Sequence, residues 1–269
     1  MVKMAYLYEV DTVSLLLLRM GFALPFYVAI ALTKKPEKPA ERKDVLWIIF
    51  LGLIGYYLAS LLDFLGLQYV KAGLERLILF IYPTLVLFIS FIFFRKKISR
   101  MQGLGVLVTY LGVVVIFSNE LKINSDQYLV LGAVLIFFSA LTYAGYLVGS
   151  GWIIPKLGAK QFTSYAMIVS CVAVLIHYSL VGGWRILDLH TEVYVIGFLM
   201  AIFATVIPSY LISYSIKLLG ANNFAVFGSL GPISTILLAY FFLGETLSVV
   251  QIFGGVVIIG GIFLAEKKR

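Results

Sequence analysis

Two stretches decide the fold: AGLERLILFIYPTLVLFISFIFFRKKIS at residues 72–99 and ANNFAVFGSLGPISTILLAYFFLGETLS at residues 221–248. They align without a gap at an offset of 149 residues, which brings Pro83 onto Pro232. The same register continues through two further pairs of glycines, Gly105 with Gly254 and Gly112 with Gly261. Apolar helices that merely look alike would not keep proline and glycine in one register, so the pattern indicates an internal duplication.

The composition indicates whether this chain folds in water or in a lipid bilayer. Of its 269 residues, 62% are hydrophobic and only 13% are charged, against about 25% charged in a soluble domain. A soluble protein could not hide so much apolar surface. In a bilayer the backbone must satisfy its own hydrogen bonds, and the long unbroken apolar runs favour helices over barrel strands. The sequence therefore predicts an all-α polytopic membrane protein.

The apolar runs predict nine membrane spans, because each span needs about 20 apolar residues. Their approximate bounds are 12–32, 45–67, 70–93, 101–117, 127–149, 162–181, 193–214, 221–243 and 249–265. Alternate loops receive fifteen basic residues on one side and four on the other. The positive-inside rule then predicts a cytoplasmic C-terminus. It also explains the net charge of +8 without a nucleic-acid partner.

The duplicated units are expected to lie in opposite orientations. We place the first repeat at residues 1–118 and the second at 127–269, where five spans are present. An odd number of spans inverts the following unit, and the charges agree. The loop 33–44 holds five basic residues, whereas its counterpart 182–193 holds only Arg185. We expect the first helix of the first repeat to be missing, since its counterpart, 127–149, maps to positions before residue 1.

This arrangement resembles the drug/metabolite transporter (DMT) superfamily, in its EamA-like branch. Residues 72–85 are similar to the fourth helix of that family, and Gly231-Pro-Ile with 242–248 is similar to its ninth helix and the following turn. Arg19 fits the arginine of the second helix. The resemblance implies two inverted five-helix repeats and a carrier for amino acids, other metabolites, nucleotide sugars or drugs. It also implies that the first helix helps to line the central cavity.

Four ionisable side chains fall inside predicted spans, where each is a candidate for function. They are Arg19, Asp63, Glu75 and Arg76, and their counterparts in the second repeat are Ile168, Ile212, Phe224 and Ala225. We expect Glu75, or else Asp63, to bind a cationic group or carry a proton. The arginines would attract a carboxylate or hold the acid ionised. The alternative is a static network of salt bridges that locks the helices together.

Other candidates carry no charge. Pro83 and Pro232 fall in mid-span and predict a paired helix break or hinge. Tyr82 precedes the first of these prolines. The remaining candidates are polar or aromatic side chains that could line a cavity, namely Tyr143, Tyr210 and Asn222. For Asn222 helix capping is the alternative reading, and for the tyrosines a packed or lipid-facing position.

No catalytic residue, metal site or cofactor is predicted. Neither His177 nor His190 has a carboxylate or cysteine at metal-ligand spacing, and Cys171 is the only cysteine. A Gly-rich phosphate loop is also lacking. The glycine pairs give each terminal span a small-residue face, which fits packing within the chain and is compatible with a homodimer.

The expected function is therefore a secondary transporter of a small metabolite, amino-acid-like or another organic solute, in the cell membrane (the inner membrane in a Gram-negative cell). Proton coupling, the identity of the solute and its direction of movement stay open. Two alternatives compete with this reading. One is an accessory subunit that does not transport, and the other is a membrane enzyme acting on lipid-linked substrates.

Overall fold

The computed structural model describes residues 1–33, 41–70, 72–95, 99–117, 128–181, 183–228, 230–231, 234 and 249–266. Every regular element in these ranges is helical. The first half contains α1 Val2–Tyr6, α2 Thr12–Thr33, α3 Arg42–Tyr69, α4 Ala72–Leu79, α5 Tyr82–Phe94 and α6 Arg100–Phe117. The second half contains α7 Leu129–Leu157, α8 Ala159–Val181, α9 Thr191–Leu219, α10 Ala221–Gly228 and α11 Val249–Glu266.

Six helical stretches of the described chain are long and apolar enough to cross a membrane. They are Thr12–Thr33, Arg42–Tyr69, Leu74–Phe93, Leu129–Leu157, Ala159–Val181 and Thr191–Leu219. α6 and α11 contribute shorter apolar helices, Arg100–Val115 and Ile252–Ala265. The chain is thus an all-α polytopic membrane protein. Of the predicted span 221–243, only the part in α10 and a few residues beyond it lie among the described residues.

Among the described spans, two depart most from their predicted bounds. α7 runs on to Leu157, beyond the predicted end at residue 149. Gly149 does not end the helix: a methyl group placed on it would collide with the side chain of Leu51, so it permits close packing. The predicted span 70–93 is interrupted between Leu79 and Tyr82. Pro83 explains the interruption, because its ring clashes with the carbonyl four residues earlier.

Helix bounds recur at the offset of 149 residues. α4 at 72–79 corresponds to α10 at 221–228, and α6 at 100–117 corresponds to α11 at 249–266. α3 and α9 even share an irregularity, because each contains a π-helical turn. These turns are Leu53–Leu58 and Ile202–Val206, and they start 149 residues apart. A duplicated irregularity in the backbone is independent structural support for the duplication read from the sequence.

The last helices of the two repeats cross in opposite directions through their glycine faces. A methyl group on Gly105 would lie 2.5 Å from the Gly261 carbonyl oxygen, and one on Gly112 would lie 2.8 Å from that of Gly254. Along the contact, residue numbers rise in α6 while they fall in α11, so the two helices are antiparallel. The glycine faces pack on each other within the chain, while the expectation of a homodimer stays a prediction.

The bundle has two ends, which we name by their residues. The mouth end carries the ring pairs Tyr8–His190, with centroids 5.6 Å apart, and Tyr69–Tyr128, with centroids 5.7 Å apart. The base end carries an ion pair in which Lys156 Nζ lies 3.0 Å from Asp44 Oδ1. α3 therefore starts at the base end, whereas α9, its counterpart, starts at the mouth end.

Adjacent glycines of α11 test the glycine crossing. Gly261→Ala should lower the melting temperature of the purified protein, because its methyl group would meet backbone atoms of Gly105 and Thr109 at 2.7 Å. Overpacking of this kind costs about 1–3 kcal/mol. Gly260→Ala is the matched control, since its methyl group would meet no atom within 4 Å. Equal melting temperatures for the two variants would contradict this packing.

Candidate solute-binding site

A cavity of about 690 Å³ lies between the repeats. Its α3 wall runs from Gly55 to Leu67, towards the mouth end of that helix, and α7 supplies Ser139 and Tyr143 from the opposite repeat. All four of the predicted intramembrane charges line it, Arg19, Asp63, Glu75 and Arg76. Side chains that the sequence separates by up to 57 positions thus meet in one space.

Two carboxyl groups form the acidic part of the wall. Asp63 comes from the last turns of α3 and Glu75 from the first turn of α4, and their carboxyl groups are within hydrogen-bonding reach. Glu75 is only 8% exposed. An ionised carboxylate can only accept hydrogen bonds, so a bond between two carboxyl groups requires one proton. Asp63 Oδ1 is buried and accepts no hydrogen bond from any described residue.

Arg19 forms the basic part of the wall and links the two repeats. Its Nε donates a hydrogen bond to Thr205 Oγ1 at 2.8 Å, and its Nη2 donates to Ser60 Oγ at 3.3 Å. Its guanidinium carbon lies 5.3 Å from the ring centroid of Phe64. Arg76 is exposed and lines the same cavity. Arg19 is therefore held in place by two hydroxyl groups and a ring.

The π-helical turns position the groups around Arg19. Thr205 lies in the second π turn, and its hydroxyl also donates to the Met200 carbonyl oxygen at 3.0 Å. The equivalent residue of the first π turn is Tyr56, which lines the cavity. Ser60 follows that turn by two residues. π turns recur at functional sites because they redirect side chains within an otherwise regular helix.

Aromatic rings close the opposite wall. Tyr82 and Tyr143 have ring centroids 5.9 Å apart at 70°, and Tyr143 stacks on Tyr146 at 6.2 Å. Tyr82 reaches across to the second repeat, where its hydroxyl donates to the Ala225 carbonyl oxygen at 3.4 Å. It fits there only because Gly228 has no side chain. Of these rings, Tyr82 and Tyr143 line the cavity together with its charged side chains.

Other predicted residues lie outside the cavity lining. Tyr210 hydrogen-bonds to Ser164 at 2.7 Å. Asn222 accepts a hydrogen bond from Ser90 Oγ at 2.7 Å, which joins α5 to α10. Pro83 lies in the first turn of α5, at the interruption described above. Pro232 lies outside the described residues, so the paired break is described at the first proline alone.

Sequence reasoning missed the uncharged lining of α3. Tyr56 lies seven residues and Ser60 three residues before Asp63, and Leu67 lies four residues after it. This is the spacing of one helix face. Counting helical turns outward from the buried acid would have found them. Ser139 and Met200 could not be found in this way, because they enter from other helices.

Comparison with known proteins identifies the family. The family model described as "EamA-like transporter family" matches residues 1–118 and 130–266. The chain belongs to the EamA-like transporter family. It is similar to the uncharacterized transporter YcbK of Bacillus subtilis, with 31% identity over 97% of this chain and 84% of the relative. The protein is a membrane transporter, and the names of the family and of this relative indicate a transporter rather than an enzyme.

Two further comparisons concern a relative whose name states its solute and a solved structure of the same fold. The S-adenosylmethionine/S-adenosylhomocysteine transporter of Chlamydia trachomatis (serovar L2) is 27% identical over 74% of this chain and 62% of its own length. A solved crystal structure superposes with a TM-score of 0.77 and covers 95% of this chain and 89% of its own. At 16% identity it supports the fold alone.

The support of Arg19 can be measured directly. Thr205→Val should lower the melting temperature, because it leaves Arg19 Nε without its hydroxyl partner inside the bundle. Hydrogen bonds between membrane helices are worth about 0.6 kcal/mol on average and up to about 1–2 kcal/mol. Thr142→Val is the control, since that hydroxyl donates only to the Phe138 and Ser139 carbonyls of its own helix. Equal shifts for both variants would show that the Thr205 contact contributes nothing particular.

Proposed function

We propose that this protein is a proton-coupled secondary transporter of zwitterionic, amino-acid-like solutes, which bind in the cavity between the repeats. The observation that carries the proposal is that one cavity, large enough for a small molecule, is lined by all four charged side chains, Asp63, Glu75, Arg19 and Arg76. Two acids and two arginines cancel in formal charge. A solute that carries one positive and one negative group fits such a site without leaving a buried charge unpaired.

The solute carboxylate is assigned to Arg19. A guanidinium binds a carboxylate in a planar, two-bonded geometry that a lysine cannot offer. Thr205 and Ser60 hold two of its nitrogens, which orients the group before any solute arrives. Arg76 is exposed in the same wall and would meet the carboxylate first.

The solute ammonium group is assigned to the acidic pair. Asp63 Oδ1 is a buried acceptor without a hydrogen-bond donor among the described residues. An ammonium group has three donors and no acceptor. It would replace the proton that Asp63 and Glu75 share in the empty site, because two carboxylates side by side need one positive charge between them. Proton and solute then compete for one place, which is the physical basis of coupling.

Cavity size and aromatic lining support amino-acid-like solutes of moderate size. Sites for small molecules typically enclose about 300–1,000 Å³, and this one encloses about 690 Å³. The rings of Tyr56, Tyr82 and Tyr143 suit a planar or cationic group. The Chlamydia relative named for S-adenosylmethionine supports this class, since that compound joins an amino acid to a cationic sulfur and a planar base.

Orientation follows from charge. The base end carries Lys156, Lys160 and Lys217, and the sequence adds the basic loops 33–44 and 94–100 at that end. We therefore assign the base end and the C-terminus to the cytoplasm, and the mouth end to the outer side of the cell membrane. The cavity then faces outward.

Replacement of Glu75 tests proton coupling. Glu75→Gln should abolish transport driven by a pH gradient in proteoliposomes, because an amide cannot take up or release the shared proton. Glu192→Gln is the matched control, since Glu192 is an exposed acid at the mouth-end start of α9. We expect the control to transport like the unchanged protein. Full pH-driven transport by Glu75→Gln at normal protein level would end the proton role.

A thermal-shift screen tests the solute class. Purified protein should melt at higher temperature with zwitterionic amino acids or S-adenosylmethionine, because a ligand of the folded state adds about 2.7 kcal/mol at a hundred times its Kd. Analogues without the carboxylate or without the amino group should lose most of the shift. Arg19→Lys should weaken the response to the complete solute. Equal shifts with the truncated analogues would reject the paired-charge site.

A further inference from the structure

The inverted repeats allow the second, closed half of the solute path to be located. When two related units lie upside down, alternating access exchanges their conformations. Residues that line the cavity on one side then have equivalents that line a cavity on the other side. Adding 149 to the α3 lining residues gives positions on α9. The inference rests on the proposed carrier function and adds a binding path at the base end.

The equivalent positions form a polar stripe on α9. Tyr56, Ser60 and Phe64 correspond to Thr205, Ser209 and Ser213. These three are spaced by four residues, so they share one helix face, and all three are 0% exposed. We name this face the hydroxyl stripe. A buried hydroxyl group is costly unless it has a hydrogen-bond partner, and such a partner can be another helix or a passing solute.

The present structure closes the hydroxyl stripe with two interhelical hydrogen bonds. Tyr27 of α2 bonds to Ser209 at 2.8 Å, and Thr163 of α8 donates to Ser213. Both of these hydrogen bonds lie between Arg19 and the base end. The two equivalent helix faces therefore differ in their surroundings. The face of α3 lines the open cavity, whereas the hydroxyl stripe of α9 packs against α2 and α8.

The centre of the exchange is visible in the cavity itself. Three equivalent pairs have both members in its lining, Gly55 with Ala204, Leu79 with Gly228, and Tyr82 with Gly231. Residues that line the same cavity as their equivalents lie on the side of each repeat that faces the axis relating the two. These pairs therefore mark the place that stays lined by the same residues when the path turns from one side to the other.

We infer that Thr205, Ser209 and Ser213 line a base-side solute path that opens when Tyr27 and Thr163 separate from α9. None of the four cavity charges has a charged equivalent, because Arg19, Asp63, Glu75 and Arg76 correspond to Ile168, Ile212, Phe224 and Ala225. Its hydroxyl groups can donate to a carboxylate and accept from an ammonium group. A zwitterionic solute would leave its ionic partners near Arg19 and move along these hydroxyl groups towards the base end.

Cysteine accessibility tests the path, and the chain suits the method because Cys171 is its only cysteine. Single cysteines replace Ser209 or Ser213 in a Cys171→Ala background. Ser170→Cys is the matched control: Ser170 is also 0% exposed and bonded to the Gly52 carbonyl oxygen at 2.6 Å. Its equivalent, Gly21, does not line the cavity. A membrane-impermeant maleimide is applied to inside-out vesicles, which present the base end.

Ser209→Cys and Ser213→Cys should react from the base side, and Ser170→Cys should not. A base-open state populated at about 1% would give roughly 1% of the rate of a fully open cysteine, which is measurable against the control. Ser60→Cys should react from the mouth side instead. If both stripe cysteines react no faster than Ser170→Cys, the path is wrong, whether or not solute is transported.

The same vesicles separate this inference from the proposed solute class. Labelling of the stripe without transport or thermal shift by any zwitterion would keep the path and reject the solute. Transport and thermal shift with an unlabelled stripe would keep the solute and reject the path.

Discussion

The backbone contact between Gly105 and Gly261, with its equivalent between Gly112 and Gly254, holds α6 and α11 antiparallel. Only hydrogen atoms on these glycines allow the two helices to approach so closely. Because these helices are equivalent and end their repeats, their antiparallel crossing means that one repeat lies upside down against the other. The shared position of the π turns, at Leu53–Leu58 and Ile202–Val206, extends that relation into the helices that flank the cavity.

The two repeats are inverted copies whose site residues differ, and this difference explains where the charged side chains lie. The repeats share helix bounds and π turns, yet all four charges of the cavity belong to the first repeat. The second repeat supplies Thr205 to hold Arg19 and Gly228 to admit Tyr82. One half therefore carries the charged groups and the other half shapes their surroundings. In the proposed mechanism, solute and proton therefore bind in one half of the bundle, while both halves line the path.

Sequence reasoning reached the fold because its main signals are local. Apolar length predicts spans, and proline and glycine in one register predict the duplication. The four charged side chains were found for the same reason, since a charge inside an apolar run is visible in a single segment. Ser139, Met200 and Thr205 were not found, because their position depends on how separate helices pack. The π turns also left no mark in composition or spacing.

The inverted relation of the repeats is tested most directly by the sidedness of one equivalent pair. Glu41 and His190 are 149 residues apart, each precedes the first residue of its helix, and both are exposed. In the Cys171→Ala background, a cysteine at each position is offered an impermeant thiol label on intact cells and again after permeabilisation. We predict that His190→Cys reacts in intact cells and Glu41→Cys only after permeabilisation. Reaction of both from the same side would contradict the inverted fold.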